Sequence, residues 1–516
     1  MEIRLNTTSS QNDIDPILVA WPWLVGTWTL FLIALSGWLS VGFPHPTDGD
    51  SSWYLPPMLH YHQSGQLINP YFGVNYTQAE DGRFTWHGFL FPMVGSLLMP
   101  WPSYIGVSWA QFFMQAISLV FGGILLIRQR VLEWSSGLAR LMMLAVLGAS
   151  LQSFAGRPDL LVCLWAMLGT LLYCSFPQPS AKMIVAGSTI GLVAATSPLP
   201  ALFLSLLFLG TVSVEFPWRE AFFRSAKTGA IALLVFAATF LIYPYDFSQW
   251  IAGVLTQAHA SEGARHLGFT GFLAAWLADD FGGSQPLALF WCAPPVILAC
   301  YYLLTGQVQW LPGLIFSMLA ILILIVLIAP DVRKYNVTCL LPVFFIPWLK
   351  WLQDQSPHQP KGFPPQALSW IVIAAALITF LPIVREALIR PHVAKGMSRV
   401  EAIKLIAELR QTHPRVDVTN GLFSLFENPD DLRIVRFEGK EVILISYPGK
   451  GNSQIPGETL IVQQINPFRP VPPEIPHYRL VKSYFGDFSR WRIAGLKLAN
   501  SPRGYNFAVY ERVPRP

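Results

Sequence analysis

Residues 157–176 read RPDLLVCLWAMLGTLLYCSF. An arginine, a proline and an aspartate open a run that is otherwise apolar, and the run has the roughly 20 residues that a helix needs to cross a bilayer core about 30 Å thick. Ionisable groups are costly at membrane depth, so Arg157 and Asp159 are a functional hypothesis by default. Two questions follow: how many such runs the chain contains, and which end of them carries charge.

Further apolar runs lie at about 17–43, 102–127, 137–156, 182–197, 198–214, 226–244, 286–305, 310–330, 335–352 and 367–385. With 158–176 they predict a polytopic α-helical membrane protein of about eleven spans. Ser197-Pro198-Leu199-Pro200 reads either as a tight turn between two short spans or as a kink in one long span.

Composition agrees. Of 516 residues, 53% are hydrophobic and 13% charged, against about 25% charged in soluble proteins. Residues 1–390 hold 35 Lys, Arg, Asp and Glu (9%), whereas residues 391–516 hold 30 (24%). The expected division is a membrane domain over 1–390 and a soluble α+β domain over 391–516. A net charge of +5, dispersed along the chain, argues against nucleic acid as a partner. Cys163, Cys174, Cys292, Cys300 and Cys339 form no CxxC pair and all fall in or beside apolar runs, so disulfides and thiolate-metal sites are not expected. The polar start, 1–16, leads into a run without a small-residue cleavage pattern, which reads as a retained span.

Placing the N-terminus inside gives the inner loops ten basic residues (Arg4, Arg128, Arg130, Arg140, Lys182, Arg219, Arg224, Lys227, Lys350, Lys361) and the outer side seven. That is the positive-inside bias. An odd number of spans then puts 391–516 outside, together with long loops over 44–101 and 245–285. The expected location is a bacterial inner membrane with a cytoplasmic N-terminus. Within the tail, Ser398 and Glu401 have capping-box spacing at the head of a helix over 398–411. Strand-like runs follow at 433–437, 441–446, 459–463 and 507–511.

In this topology three charged clusters share the outer face: Asp48 and Asp50 after the first span, Arg157-Pro158-Asp159, and Asp331 with Arg333-Lys334-Tyr335. Asp50 reads as a general base at the lipid–water boundary or as the cap of a helix over 51–63. Asp159 reads as a functional acid or as a helix start complementing the dipole. Arg333 and Lys334 read as a phosphate clamp or as headgroup anchors. His60 and His62, two apart on a helix, point about 200° from each other and cannot share an ion.

The ordered series Asp50 to Tyr54, Trp86-His87-Gly88-Phe89-Leu90-Phe91-Pro92, Arg157-Pro158-Asp159-Leu160-Leu161, and Arg333-Lys334-Tyr335 leading into Leu340-Leu341-Pro342 resembles the GT-C superfamily. Within it, the chain is similar to bacterial relatives of protein O-mannosyltransferases and of the lipid A aminoarabinose transferase, over roughly 15–350. The chain has Asp50-Ser51 where many relatives have Asp-Glu, and His87-Gly88-Phe89 where they have His-Pro-Pro.

The resemblance implies a GT-C-like fold and transfer of a sugar from a polyprenyl-phosphate donor to a lipid, glycan or protein hydroxyl at the outer face. It maps the catalytic Asp onto Asp50, with Asp48 as rival. Arg333, with Lys334 or Arg157, would stabilise the departing phosphate. Asp159 would position the acceptor or orient a basic group, and Tyr335, Tyr54 and His87 would line the substrate site. No cofactor is required, although Asp48, Asp50, Glu80 and Asp81 leave room for a divalent cation bridging phosphate. Membrane lipids are further partners. A transporter is the rival from another class, and an inactive GT-C-like scaffold the third reading.

Overall fold

In the computed structural model, the described residues are 16–42, 51–69, 83–85, 88–129, 134–260, 365–389, 398–412, 416–419, 433–436, 443–447, 460–464, 473–475, 478–484, 492–493, 496–497 and 505–513. The apolar runs at 286–305, 310–330 and 335–352 lie outside them.

The membrane part is helical. α1 (Pro16–Gly37) ends in a π-helical turn, Trp38–Gly42. α2 (Ser51–Ser64) and α3 (Leu90–Leu98) occupy the first long loop, so the loop is partly helical despite Pro56, Pro57 and Pro92. α4 (Tyr104–Ile127), α5 (Trp134–Ser153), α6 (Asp159–Ser175), α7 (Pro179–Thr196), α8 (Pro198–Glu215) and α9 (Trp218–Thr239) then follow the apolar runs within a few residues. α10 (Phe247–Ala260) opens the second long loop, and α11 (Pro365–Ile389) is the last apolar helix. Ser197, with extended backbone at φ −160° and ψ 112°, separates α7 from α8, so the proline-rich stretch is a break between two helices and not a kink.

Four described helical stretches are long and apolar enough to cross a membrane: Ala20–Val41, Tyr104–Ile127, Trp134–Gln152 and Trp218–Thr239. This is a membrane protein by the length and composition of its helices. Arg140, assigned above to an inner loop, instead lies within α5 and is 1% exposed. Arg219, Arg224 and Lys227 likewise sit inside the first turns of α9, where Arg224 pairs with Glu220 at 2.6 Å. Their long stems let the charged heads reach past the apolar boundary.

Lipid offers no hydrophobic drive between helices, so close approach of small residues must supply dispersion. Gly187 and Gly191 of α7 do this against α9. A Cβ on Gly187 would fall 2.7 Å from the Thr228 carbonyl oxygen, and one on Gly191 2.6 Å from that of Ala232. The later residue on one helix meets the later residue on the other, so α7 and α9 run parallel. α1 and α11 are parallel by the same test: Trp28 packs on Phe380 with ring centroids 6.1 Å apart, and Trp38 Nε1 donates to the Ala387 carbonyl at 3.2 Å.

In the tail, α12 (Arg399–Thr412) starts with a reciprocal capping box: the Ser398 N–H donates to Glu401 Oε2 at 2.8 Å, and the Glu401 N–H to Ser398 Oγ at 3.2 Å. Nine strands follow: β1 (Val416–Thr419), β2 (Arg433–Arg436), β3 (Ile443–Tyr447), β4 (Leu460–Gln464), β5 (Glu474–Ile475), β6 (Tyr478–Tyr484), β7 (Arg492–Ile493), β8 (Leu496–Lys497) and β9 (Phe507–Arg512). Among the described residues, seven make one sheet in the order β2-β3-β1-β4-β9-β6-β5, in which β1 and β4 pair in parallel and the other described pairs are antiparallel. β7 and β8 form a separate ribbon. Phe507, Ala508, Val509 and Tyr510 are buried in a row, as a central strand covered on both faces requires.

Candidate functional site

The site is built on the turn between α5 and α6. After α5 ends at Ser153, Gly156 takes φ +80°, a conformation open to glycine and strained for other residues. Its N–H donates to Gln111 Oε1 on α4. A Cβ there would fall 2.2 Å from Ser51 Oγ, so the turn lies directly against the first residue of α2. Ser51 is 3% exposed and follows Asp50 in the chain. The first residue of α2 and the turn before α6 therefore meet at one end of the helix bundle.

Arg157 and Asp159 complete the turn. Arg157 Nε donates to Asp159 Oδ2 at 2.9 Å, with side-chain exposures of 6% and 3%. Pro158 sets the start of α6, and the Leu161 and Val162 amides donate to its carbonyl at 3.0 and 3.1 Å. Asp159 then stands in the first turn, where the helix dipole favours a carboxylate. Asp159 thus begins the helix and also accepts a hydrogen bond from the Arg157 guanidinium. Each residue also makes further interactions beyond this pair.

Beneath the turn lies a polar cluster inside the apolar bundle. Gln152 Nε2 of α5 donates to Ser36 Oγ at 2.8 Å, to Gln115 Oε1 at 3.0 Å and to Ser40 Oγ at 3.2 Å. Ser36 Oγ and Ser40 Oγ also donate to Gln115 Oε1, the latter at 3.0 Å. Ser40 belongs to the π-helical turn, so the cluster ties the widened end of α1, just before the acidic segment 48–50, to α4 and α5. π-turns are frequent at functional sites because they displace a helix end.

The first loop is anchored beside this. Tyr54 is 6% exposed and packs edge-on against Phe84 and Phe91, with centroids 6.4 and 6.2 Å apart. Tyr243 donates its hydroxyl to the Phe84 carbonyl at 3.0 Å, and Tyr245 to that of Leu67 at 2.8 Å. Gly88 meets the end of α7 so closely that a Cβ would overlap the Thr196 carbonyl, 1.4 Å away. These contacts bring the two long loops together. They enclose a cleft of about 490 Å³ lined by Gly65, Gln66, Ile68, Arg83, Pro244, Tyr245, Asp246 and Gln249.

Of the residues expected from sequence, Tyr54, Arg157 and Asp159 are described, and all three lie at this end of the bundle. Asp48, Asp50, His87, Arg333, Lys334 and Tyr335 lie outside the described residues, as do Glu80 and Asp81. His60 and His62 engage different groups, the Gln66 and Ser96 carbonyls, each through Nδ1 at 2.9 and 2.8 Å. Among the described residues no three His, Cys, Asp or Glu side chains gather as metal ligands do. Sequence reasoning noted Ser51 only as a departure from the resembling family and passed over Gly156, Gln111, Gln115 and Gln152. The glutamines carried a signal, since amides within apolar spans demand partners.

Comparison with protein-family models, with curated proteins and with solved structures finds no match.

Proposed function

We propose that the chain is a membrane glycosyltransferase that moves a sugar from a polyprenyl-phosphate donor to an acceptor hydroxyl, with Asp50 as general base. The observation that carries the reading is the seating of Ser51, one peptide bond from Asp50, against Gly156 in the turn that holds Arg157 and Asp159. On this reading Asp50, the residue before Ser51, joins the buried Arg157 at that end of the bundle. That is what a reaction with a proton to accept and a phosphate to neutralise needs.

In the reaction, the acceptor oxygen attacks the anomeric carbon as its proton passes to the Asp50 carboxylate. The bond from that carbon to phosphate breaks with inversion, and polyprenyl phosphate leaves with the electron pair. Arg157, oriented by Asp159, and Arg333 with Lys334 stabilise the growing charge. Tyr54 holds the first turn of α2, and Tyr335 and His87 line the substrate path. A divalent cation, where the acidic loop binds one, would share the phosphate charge. Serine in place of the glutamate common in the resembling family has a physical reason, because position 51 is buried against Gly156.

Parallel α1 and α11 call for an odd number of crossings, as the eleven apolar runs supply, and they release the tail at the site end. We place that end outside. The polar cluster of Gln115 and Gln152 is internally paired, so it favours a structural tie over a transport path. The test supplies purified protein in vesicles with a mixed pool of polyprenyl-phosphate sugars. Sugar transfer is expected. Solute flux without transfer would replace the reading with a transporter.

A further inference from the structure

The cleft between the two long loops stands where the spans end. α9 ends at Thr239, and one wall of the cleft, Pro244, Tyr245, Asp246 and Gln249, follows within ten residues. The other wall, which includes Gln66 and Arg83, folds back onto the first turn of α2: Asn69 Nδ2 donates to the Trp53 carbonyl at 3.2 Å, and Phe84 packs on Tyr54. A cleft just beyond the end of a membrane helix lies at headgroup depth.

α10 supplies an apolar edge to the same region. Its Trp250 packs on Phe236 and Phe240 in the last turns of α9, and a Cβ on Gly253 would fall 2.3 Å from the Thr85 carbonyl oxygen, so this side of α10 faces the protein. Phe247, Ile251 and Leu255, spaced by four, are exposed and form a stripe on another side. Leu241 and Ile242, exposed between the two helices, link the stripe to the exposed Leu233 and Leu234 of α9, a helix long and apolar enough to cross a membrane. A short amphipathic helix in that position lies along the membrane surface with its apolar stripe toward the acyl chains.

The polar lining selects the headgroup. It holds one cation, Arg83, and one anion, Asp246, with the Gln66 and Gln249 amides. The Arg83 guanidinium stands 5.5 Å over the Tyr245 ring, whose hydroxyl donates to the Leu67 carbonyl, and an isolated β-bridge joins Arg83 to Ile68. A guanidinium has five N–H donors, so a phosphate can share it with the interactions that Arg83 already makes. A purely anionic headgroup would meet the Asp246 carboxylate, and a purely cationic one would meet Arg83. Phosphoethanolamine brings a phosphate for Arg83 and an ammonium, with three N–H donors, for Asp246 and the amide carbonyls. A choline headgroup has no such donor. The volume, about 490 Å³, lies within the range of small-ligand pockets.

We infer that this cleft binds the headgroup of a phosphoethanolamine phospholipid whose acyl chains lie along the α10 stripe, so that the second long loop is tied to the membrane surface by a bound lipid. Such binding is independent of sugar transfer.

In the experiment, the full chain in detergent, stripped of lipid, is titrated with phosphatidylethanolamine, phosphatidylglycerol and phosphatidylcholine of matched acyl chains, and bound lipid is counted by native mass spectrometry. Phosphatidylethanolamine is expected to bind about tenfold more tightly than the other two, the effect of one charge-assisted hydrogen bond. Asp246→Asn should abolish that preference while keeping the start of α10, since Asn caps a helix as Asp does. Leu255→Ser, at an exposed position, should weaken binding of phosphatidylethanolamine and leave its preference over the other two intact. Equal affinity for the three lipids, a preference that survives Asp246→Asn, or displacement of the lipid by an equal concentration of free phosphoethanolamine would overturn the inference.

Discussion

Gly156 and Ser51 are packed so tightly that neither can gain an atom facing the other: a Cβ on the glycine would come within 2.2 Å of the serine hydroxyl. The contact joins the start of α2 to the turn before α6. Gly156→Ala is therefore expected to destabilise the protein by about 1–3 kcal/mol through backbone strain alone, with a further steric cost. Thermal unfolding in detergent measures it. Ser51→Gly in the same chain should recover the steric part and leave the strain, a coupling that a double-mutant cycle reads directly. Additive effects would mean the two residues do not touch.

The Arg157–Asp159 pair is buried, so removing one member breaks a desolvated ion pair and leaves the other charge to its remaining interactions. Asp159→Asn and Arg157→Gln should each cost about 3–5 kcal/mol, whereas the double neutral variant should recover much of the loss. Under the transferase reading that double variant stays impaired in turnover, because the phosphate-facing charge is gone. Restored stability together with full turnover would reduce the pair to a structural role.

Much of this architecture is legible in the chain itself. The apolar runs locate α1, α4 to α9 and α11 because bilayer thickness sets helix length, and Ser398 with Glu401 announces α12 because capping is local chemistry. α3 was not legible: Pro92, Gly95 and Ser96 weaken its helical signal, and its burial comes from tertiary packing. β6 was hidden because Lys482 and Ser483 interrupt the alternation beside a bulge. Arg157 and Asp159 stood out by charge and pair across only two residues, but the approach of Ser51 to Gly156 is a contact across more than a hundred residues that no local pattern encodes. The part of the site resting on Asp48, Asp50, His87, Arg333, Lys334 and Tyr335 is a sequence expectation.

Glu401 gives a pH prediction in the tail. The Ser398 N–H, and then its hydroxyl, hold the Glu401 carboxyl below its usual value. A depressed folded value adds stability that is complete above the unfolded value of about 4.3 and is lost as pH falls through the lower folded one. The protection factors of amides in the first turn of α12, taken relative to intrinsic exchange at each pH, should fall as pH falls through that window in wild type. In Glu401→Gln they should stay constant there, and an equal fall in both proteins would remove the capping account.

The Trp38–Ala387 bond predicts sidedness. Single cysteines at Ser64 and Ser398, both exposed, should label from the same side of sealed vesicles with a membrane-impermeant maleimide in a cysteine-free background. Labelling from opposite sides would contradict parallel α1 and α11.

The most direct test of the central claim compares turnover of polyprenyl-phosphate sugars by wild type, Asp50→Asn and Asp48→Asn at matched folding and expression. Loss of a general base is worth typically 10²–10⁴-fold. The account predicts a loss of about that size in Asp50→Asn with donor binding retained, and little change in Asp48→Asn. Full turnover in Asp50→Asn would contradict it.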